Sequence, residues 1–218
     1  MVRNYTLQSK KKLVQEVTGK TGGQLLDIGA GTGAFAAVMQ NSGWTVTGLE
    51  PDETARKNAR EYHNLDLQEP GRLYHLPPGS FDVITLWHVL EHVHDLHGYL
   101  QNFHRILQPD GKLLVAVPNY TSYDAELYGP YWAAYDVPRH LYHFSPAAMR
   151  RLMQQHAFRV IGLEPMWFDS YYVSMLSERY RYGKNNLLRA LLNGRRSNSK
   201  AGAAYERCSS VIYIIEKK

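Results

Sequence analysis

The chain predicts an α/β protein: a doubly wound, mainly parallel sheet of seven strands, with helical and aromatic-rich insertions in its second half. Three observations lead there. Short apolar runs alternate with helix-like segments of ten or so residues, the spacing that right-handed βαβ crossovers need. The first apolar run, "QLLDIG", passes through a dense glycine turn straight into a helical pattern. With 218 residues and 44% hydrophobic content there is enough apolar side chain for one continuous core, so residues 1–218 read as a single domain.

In chain order, residues 7–17 form an amphipathic helix and "TGKTGG" a turn. "QLLDIG" is the first strand, "GAFAAVMQNSG" a helix closing on Gly43, and "TVTGLEP" the second strand. A helix from about 52 to 62 precedes a weakly marked third strand within 64–74, and "FDVITLW" is the fourth. "DLHGYLQNFHRIL" is a helix stopped by "QPDG", and "KLLVAVP" is the fifth strand. "SPAAMRRLMQQHAF" starts a helix with Ser145 as N-cap and Pro146 at its first position. "RVIGLEPMWF" and "SSVIYIIEK" supply strands six and seven, bracketing a basic insertion at about 169–207 in which "NGRRSNSKAGAA", 193–204, has the composition of a mobile loop.

The net charge of +5 is concentrated late in the chain: residues 178–207 alone carry +6. Such a segment attracts phosphates, an anionic lipid surface or an acidic substrate, and is also compatible with plain solvated surface. The longest late apolar run, "VIYII", is too short to span a bilayer, and the early residues lack a targeting pattern, so a soluble, cytoplasmic protein is expected. One cysteine, Cys208, leaves no internal disulfide and no cysteine-rich metal site.

"LLDIGAGTGAF" sets Asp27, Gly29, Ala30, Gly31 and Gly33 where the first strand turns into the first helix. Glycine there allows positive φ and close approach of a ligand to the backbone. Seventeen residues beyond Gly33, Glu50 closes the second strand, where a carboxylate can accept both hydroxyl protons of a ribose. The spacing is D-x-G-x-G-x-G, unlike the G-x-G-x-x-G of dinucleotide folds, which sets nicotinamide chemistry aside. From about Gln24 to Phe158, including "SFDVI" and "ILQPDGKLLVAVPN", the chain resembles the class I S-adenosylmethionine-dependent methyltransferases and their Rossmann-like fold.

That resemblance implies S-adenosylmethionine as cofactor. Asp27 would orient its amino group, Glu50 hold the ribose and Pro51 lie beside the adenine. The family's usual acidic adenine contact is missing from "GRLYHLPPG", so Arg72 and Leu73 take that place through their backbone, while Trp87 and His88 line the cofactor pocket.

"WHVLEHVHDLH", 87–97, contains His88, Glu91 and His92 in the H-x-x-E-H order of inverted zinc peptidases. Two histidines hold a metal together only on a common helix, and here the fourth strand must run to about Trp87. No metal is therefore expected; Glu91 and His92 cap the next turn or face the substrate, and His94 and His97 read as exposed surface. "WHVLEHV" is the form this position takes in a branch that includes small-molecule and quinone-precursor O-methyltransferases.

After the fifth strand, about 119–146 reads as a long aromatic loop roofing the active site, with Asn119, Tyr120, Trp132 and Arg139 facing the substrate. It also resembles a subgroup carrying a "W…D.PRHL..F" pattern, matched by Trp132, Asp136, Pro138, Arg139, His140, Leu141 and Phe144. An oxygen acceptor needs a proton acceptor, for which His140 is the first candidate and His92 the second, although His140 serves equally well as a loop brace. Leu187, Leu188, Leu191 and Leu192 make one apolar helix stripe beside arginines, fitting a lid, a homodimer face or a membrane-surface contact. Methyl transfer to a small-molecule oxygen is the leading expectation. RNA or other nucleic-acid methylation is disfavoured by "LWHV", which stands where base-amine methylators carry an Asn/Asp-Pro-Pro-aromatic tetrad, and binding of S-adenosylmethionine without catalysis stays open.

Overall fold

The computed structural model describes residues 2–184, 186–203 and 205–218. Its elements are α1 (Val2–Thr18), β1 (Gly23–Ile28), α2 (Ala34–Gln40), β2 (Trp44–Leu49), α3 (Glu53–His63), β3 (Phe81–Trp87), α4 (Leu96–Ile106) and β4 (Leu107–Pro118). Then come α5 (Tyr123–Tyr128), α6 (Pro146–Gln155), β5 (Phe158–Pro165), α7 (Asp169–Tyr182), α8 (Leu187–Ser199) and β6 (Ser210–Lys217).

Strand residues sort to two faces by the pleat. Leu25, Val83, Leu114 and Ala116 join Val14 of α1 and Phe35 and Met39 of α2 on one side. Their neighbours Leu26, Ile84, Leu86, Leu113 and Val115 pack on the other side with Leu100 and Phe103 of α4 and Met149 and Met153 of α6. Helices start where short polar side chains accept their free amides. Asp52 accepts from the Ala55 amide (2.7 Å), Asp95 from Gly98 (3.0 Å) and, as the spacing predicts, Ser145 from Ala148 (3.2 Å).

The sheet has six strands among the described residues, in the order β2-β1-β3-β4-β6-β5, with only β6 antiparallel to its neighbours. The expected third strand, within 64–74, is reduced to one parallel bridge between Leu49 and Gln68. Leu65 and Leu67 alternate inward as in a strand, but Pro70 has no amide to donate and opens a tight 3-10 turn, Pro70–His75. Two further expectations are corrected. The helix α4 stops at Ile106 and Leu107 already pairs with Phe81, but "QPDG" still breaks the ladder, because the next pairing is Lys112 with Val83. The supposed mobile loop at 193–204 is helical as far as Ser199, since Asn193 and Ser197 are buried; Ala204 lies outside the described residues.

Because β2 lies to one side of β1 and β3 to the other, the chain reverses direction across the sheet at the β1/β3 boundary. The crevice beyond the C-terminal ends of those strands is where open α/β sheets bind ligands.

Candidate functional site

Gly29, Gly31 and Gly33 have φ of 67°, 55° and 77°. A Cβ at Gly29 would meet Val89 Cγ2 at 2.4 Å, whereas one at Gly31 would meet nothing within 4 Å, so Gly31 presents open backbone to the crevice. The Gly29 and Ala30 amides both donate to the Leu49 carbonyl (2.7 and 3.0 Å), lashing the loop to the end of β2. Glu50, buried at that end, accepts the Gly31 amide at Oε2 (2.7 Å) and the Asp52 amide at Oε1 (2.9 Å). Two of a carboxylate's roughly four acceptor positions remain for a diol. Pro51 is exposed beside it, and Arg56 donates to the carbonyls of Glu50 and Pro51 (both 2.8 Å).

Asp27 is the register partner of Thr85 across β1 and β3, and its carboxylate accepts the Thr85 hydroxyl at 2.7 Å. Burial raises its pKa to about 7, against the lowering effect of that hydroxyl and of Lys10. Lys10, on α1, holds Nζ 4.4 Å above the Trp87 ring, and the Trp87 indole N–H is buried without an acceptor. Lys10 is close enough to Asp27 for each charge to act on the other, so an ammonium, an unpartnered indole N–H and a carboxylate are gathered near the end of β1. Arg72 and Leu73 sit on the turn after the bridge; the Arg72 amide already donates to the Glu69 carbonyl (3.0 Å) and the Leu73 side chain is fully buried in the core.

His88 follows β3 in a left-handed conformation, φ 60°, with its amide on the Ala116 carbonyl (3.0 Å). Burial works to depress its pKa, but the Asp169 carboxylate 2.9 Å from Nε2 and Glu91 3.4 Å from Nδ1 prevail and raise it to about 10. His88 is thus a fixed cation at neutral pH. Asp169, the first residue of α7, stays ionised beside it: His88 more than offsets the desolvation that burial imposes on the carboxyl.

Glu91 lies in the 3-10 turn Leu90–His92, is 1% exposed, and has neither carboxylate oxygen in a hydrogen bond. Its carbonyl accepts the Leu141 amide (2.8 Å), which ties the 119–146 segment onto this turn. As a result His140 reaches His92, with ring centroids 4.6 Å apart. His92 Nδ1–H donates to the Arg139 carbonyl (2.9 Å) and His140 Nδ1–H to the Ala134 carbonyl (2.8 Å), leaving both Nε2 lone pairs free. Burial lowers the His140 pKa, so it is neutral at physiological pH. A cavity of about 290 Å³ is lined by His88, Glu91, Asp136, Arg139, His140 and Tyr172, among others.

Of the residues expected to face the substrate, only Arg139 lines this cavity, its guanidinium paired with Asp136 at 2.6 Å. Asn119 is fully buried and donates to the Glu206 and Cys208 carbonyls (2.9 and 3.0 Å); Trp132 is 2% exposed and donates to Asp124 (2.8 Å). Both are supports of the segment, because their polar atoms are satisfied inside it. Tyr120 is exposed and outside the cavity lining. His94 and His97 are exposed, as expected, and His97 Nδ1 lies 2.8 Å from His156 Nε2. Lys10, Asp169, Tyr172 and Tyr180 belong to the site region without any sequence signal, since only tertiary packing brings them there.

A doubly wound sheet with a glycine loop after β1 and a carboxylate at the end of β2, both at the strand-order reversal, has the architecture of the nucleotide-binding α/β folds. The chain belongs to the methyltransferase-domain family, whose model matches residues 3–163. Among curated relatives it is 36% identical over 120 residues to the ubiquinone biosynthesis O-methyltransferase of Actinobacillus pleuropneumoniae, covering 49% of this chain and 50% of that one. It is 31% identical over 105 residues to the demethylmenaquinone methyltransferase of Tropheryma whipplei, covering 46% and 44%. The chain thus spans about half the length of the curated relatives it matches. A solved S-adenosylmethionine-dependent methyltransferase of Thermotoga maritima superposes with a TM-score of 0.66 at 22% identity, over 97% of this chain and 87% of that one, a likeness of fold.

Proposed function

We propose that this protein transfers a methyl group from S-adenosylmethionine to an oxygen of a small aromatic acceptor. The observation that carries the reading is the adjacency of two unlike half-sites. Open backbone at Gly31 beside the Glu50 carboxylate is built for a ribose, and the His88–Glu91–His140 cavity is linked to it by Val89, which packs on Gly29, and by Lys10, whose charge acts on both Asp27 and Asp169. Bound in the first, S-adenosylmethionine supplies a sulfonium methyl, an electrophile that already carries its leaving group. Glu50 would hold the ribose hydroxyls, Asp27 the ammonium and Lys10 the carboxylate of the amino-acid end. The 119–146 segment excludes water from the second half-site and aligns the acceptor, which is most of what an in-line displacement needs. Glu91, His92 and His140 are the groups that activate the acceptor hydroxyl; the quinone-precursor names of the relatives support an aromatic hydroxyl as that acceptor.

Titration calorimetry with S-adenosylhomocysteine tests the cofactor half. Binding is expected, and a flat isotherm overturns the reading. A screen of hydroxylated aromatics with labelled methyl donor then tests the acceptor half. His140→Ala should keep cofactor affinity and lose at least about 100-fold in kcat; normal turnover would remove the imidazole from the reaction.

We further infer that α8 touches a membrane surface when the acceptor is lipid-linked. No helix among the described residues is long and apolar enough to cross a membrane, but Leu187, Leu188, Leu191 and Leu192 are 48–70% exposed on α8 beside the basic run. Flotation with anionic vesicles should carry the protein upward at low salt, and Leu188→Glu with Leu191→Glu should abolish this. Failure of the unmodified protein to float refutes the contact.

A further inference from the structure

Among the described residues only Asp169 lines both of two separate cavities. One is the cavity of about 290 Å³ beside His88 and His140. The other is a groove of about 350 Å³ between α1 and the junction of β5 with α7, lined by Tyr5, Lys10, Leu13, Met166 and Phe168, among others. The Asp169 carboxylate answers to a cation in each. Its Oδ2 lies 2.9 Å from His88 Nε2, and its charge and that of Lys10 each favour the ionised form of the other.

The backbone is bent to make the first of these pairings. His88 takes φ 60°, a conformation that side-chain-bearing residues rarely adopt, and the Ala116 carbonyl holds its amide there at 3.0 Å. The ring thereby stands between Asp169 and Glu91, the latter 3.4 Å from Nδ1, and keeps 34% of the side chain open to the cavity. Burial works against a charge on it, and Asp169 counters burial more strongly than Glu91 does. The other titratable groups of the cavity are Asp136 and Arg139, paired with each other at 2.6 Å, neutral His140, Tyr172 and Tyr180.

We propose that Asp169 is a positioning residue for methyl transfer: it anchors His88 as the cation that faces the acceptor hydroxyl, and it links that cavity to Lys10 in the cofactor crevice. The inference rests on the methyl-transfer reading for this chemistry, though not for the ion pair itself. A fixed positive charge beside a hydroxyl favours its ionised form, so His88 readies the acceptor oxygen to attack. Lys10 adds the link. The carboxylate of a bound S-adenosyl nucleoside on Lys10 offsets the charge that Lys10 lends to Asp169, which leaves more of the Asp169 field to His88. Occupation of the crevice is then felt in the cavity, and by linkage the reverse holds. The sequence hides this pairing because Asp169 follows His88 by 81 residues and lies beyond residues 3–163, the span the family model matches.

The test follows the His88 ring by nitrogen NMR on the full chain with labelled histidine, the signal assigned by its loss in His88→Gln. In the unmodified protein the ring should remain an imidazolium at about pH 8.5, and saturating S-adenosylhomocysteine should shift its resonances. Asp169→Asn should lower its titration midpoint by at least about one pH unit and remove the response to the nucleoside, while Asp169→Glu retains both. A second probe is 4-nitrophenol, an aromatic hydroxyl whose absorbance reports its ionisation. With excess unmodified protein or Asp169→Glu it should ionise at least about one pH unit lower than in free solution, and with Asp169→Asn it should not. A neutral ring at about pH 8.5, a ring unmoved by bound nucleoside, an unshifted 4-nitrophenol titration, or equal His88 midpoints with and without the Asp169 carboxylate overturns the proposal. All but the last are read on the unmodified protein, so they decide the matter even if a variant folds poorly. Nucleoside binding with any of those results sinks the positioning role alone; a His88 midpoint that follows Asp169 in a chain without nucleoside affinity sinks the methyl-transfer reading and leaves the anchoring of His88 standing.

Discussion

Gly29 and Gly31 are two residues apart, share a left-handed backbone, and do different work. At Gly29 a methyl would collide with Val89 at 2.4 Å, inside the turn that carries Glu91, so Gly29 is a packing requirement. At Gly31 a methyl has room on the protein side and enters the space a ligand needs. Gly29→Ala is therefore expected to lower Tm by several degrees, while Gly31→Ala costs about 1 kcal/mol in backbone strain and weakens S-adenosylhomocysteine at least tenfold. Differential scanning fluorimetry beside calorimetry separates the two. Equal effects of both substitutions on both measurements would show that the loop is not divided in this way.

At the level of elements, the 119–146 segment, expected to be one long loop, carries α5 and two 3-10 turns and is pinned by buried hydrogen bonds. Asp124, fully buried on α5, accepts from Trp132 Nε1 (2.8 Å), Ser197 Oγ of α8 (2.7 Å) and Ser209 Oγ before β6 (2.8 Å). One carboxylate thus joins the acceptor roof to the basic insertion and to the sheet. A second buried group, Tyr128 with Glu178 (3.1 Å) and Asn193 (3.0 Å), repeats the connection between α5, α7 and α8. Asp124→Ala strands three buried donors and should destabilise the protein by about 3–5 kcal/mol in urea unfolding, and Asp124→Asn by less. A loss under about 1 kcal/mol for the alanine variant would mean that water reaches those donors. None of this was legible in the chain, since an aspartate, a tryptophan and two serines scattered between Asp124 and Ser209 carry no periodicity. The glycine loop was legible because backbone geometry restricts which residues can stand there, and Glu50 because a strand end fixes its place.

Across the whole molecule, local patterns revealed the sheet and the glycine-loop crevice, while long-range contacts made the cavity beside His88 and His140. The alternation of Leu25 and Leu26 to opposite faces follows from the pleat, but the meeting of His92 with His140, or of His88 with Asp169, depends on how the late segments fold back over the sheet. That division leaves a thermodynamic trace at Asp27, a carboxyl the sheet buries at the end of β1. Its pKa is about 7 in the folded chain against about 4 unfolded, so between those values the folded state binds more protons and stability falls as pH rises. From pH 5 to pH 6.5 this amounts to about 2 kcal/mol. His88, raised to about 10, loses its stabilising contribution only above about 6.5, and the depressed carboxyls Asp82 and Glu216 lose theirs only below about 4, so neither intrudes on that window. Asp27→Asn removes the titration, and the stability difference between variant and unmodified protein should grow in the variant's favour by about 2 kcal/mol from pH 5 to 6.5, read by urea unfolding without cofactor. Cofactor affinity should run the other way, since an ammonium needs the ionised carboxylate: S-adenosylhomocysteine should weaken by up to about tenfold per pH unit below 7 in the unmodified protein and show no such slope in Asp27→Asn. A difference independent of pH would mean that Asp27 titrates as an ordinary aspartate and that the crevice admits water.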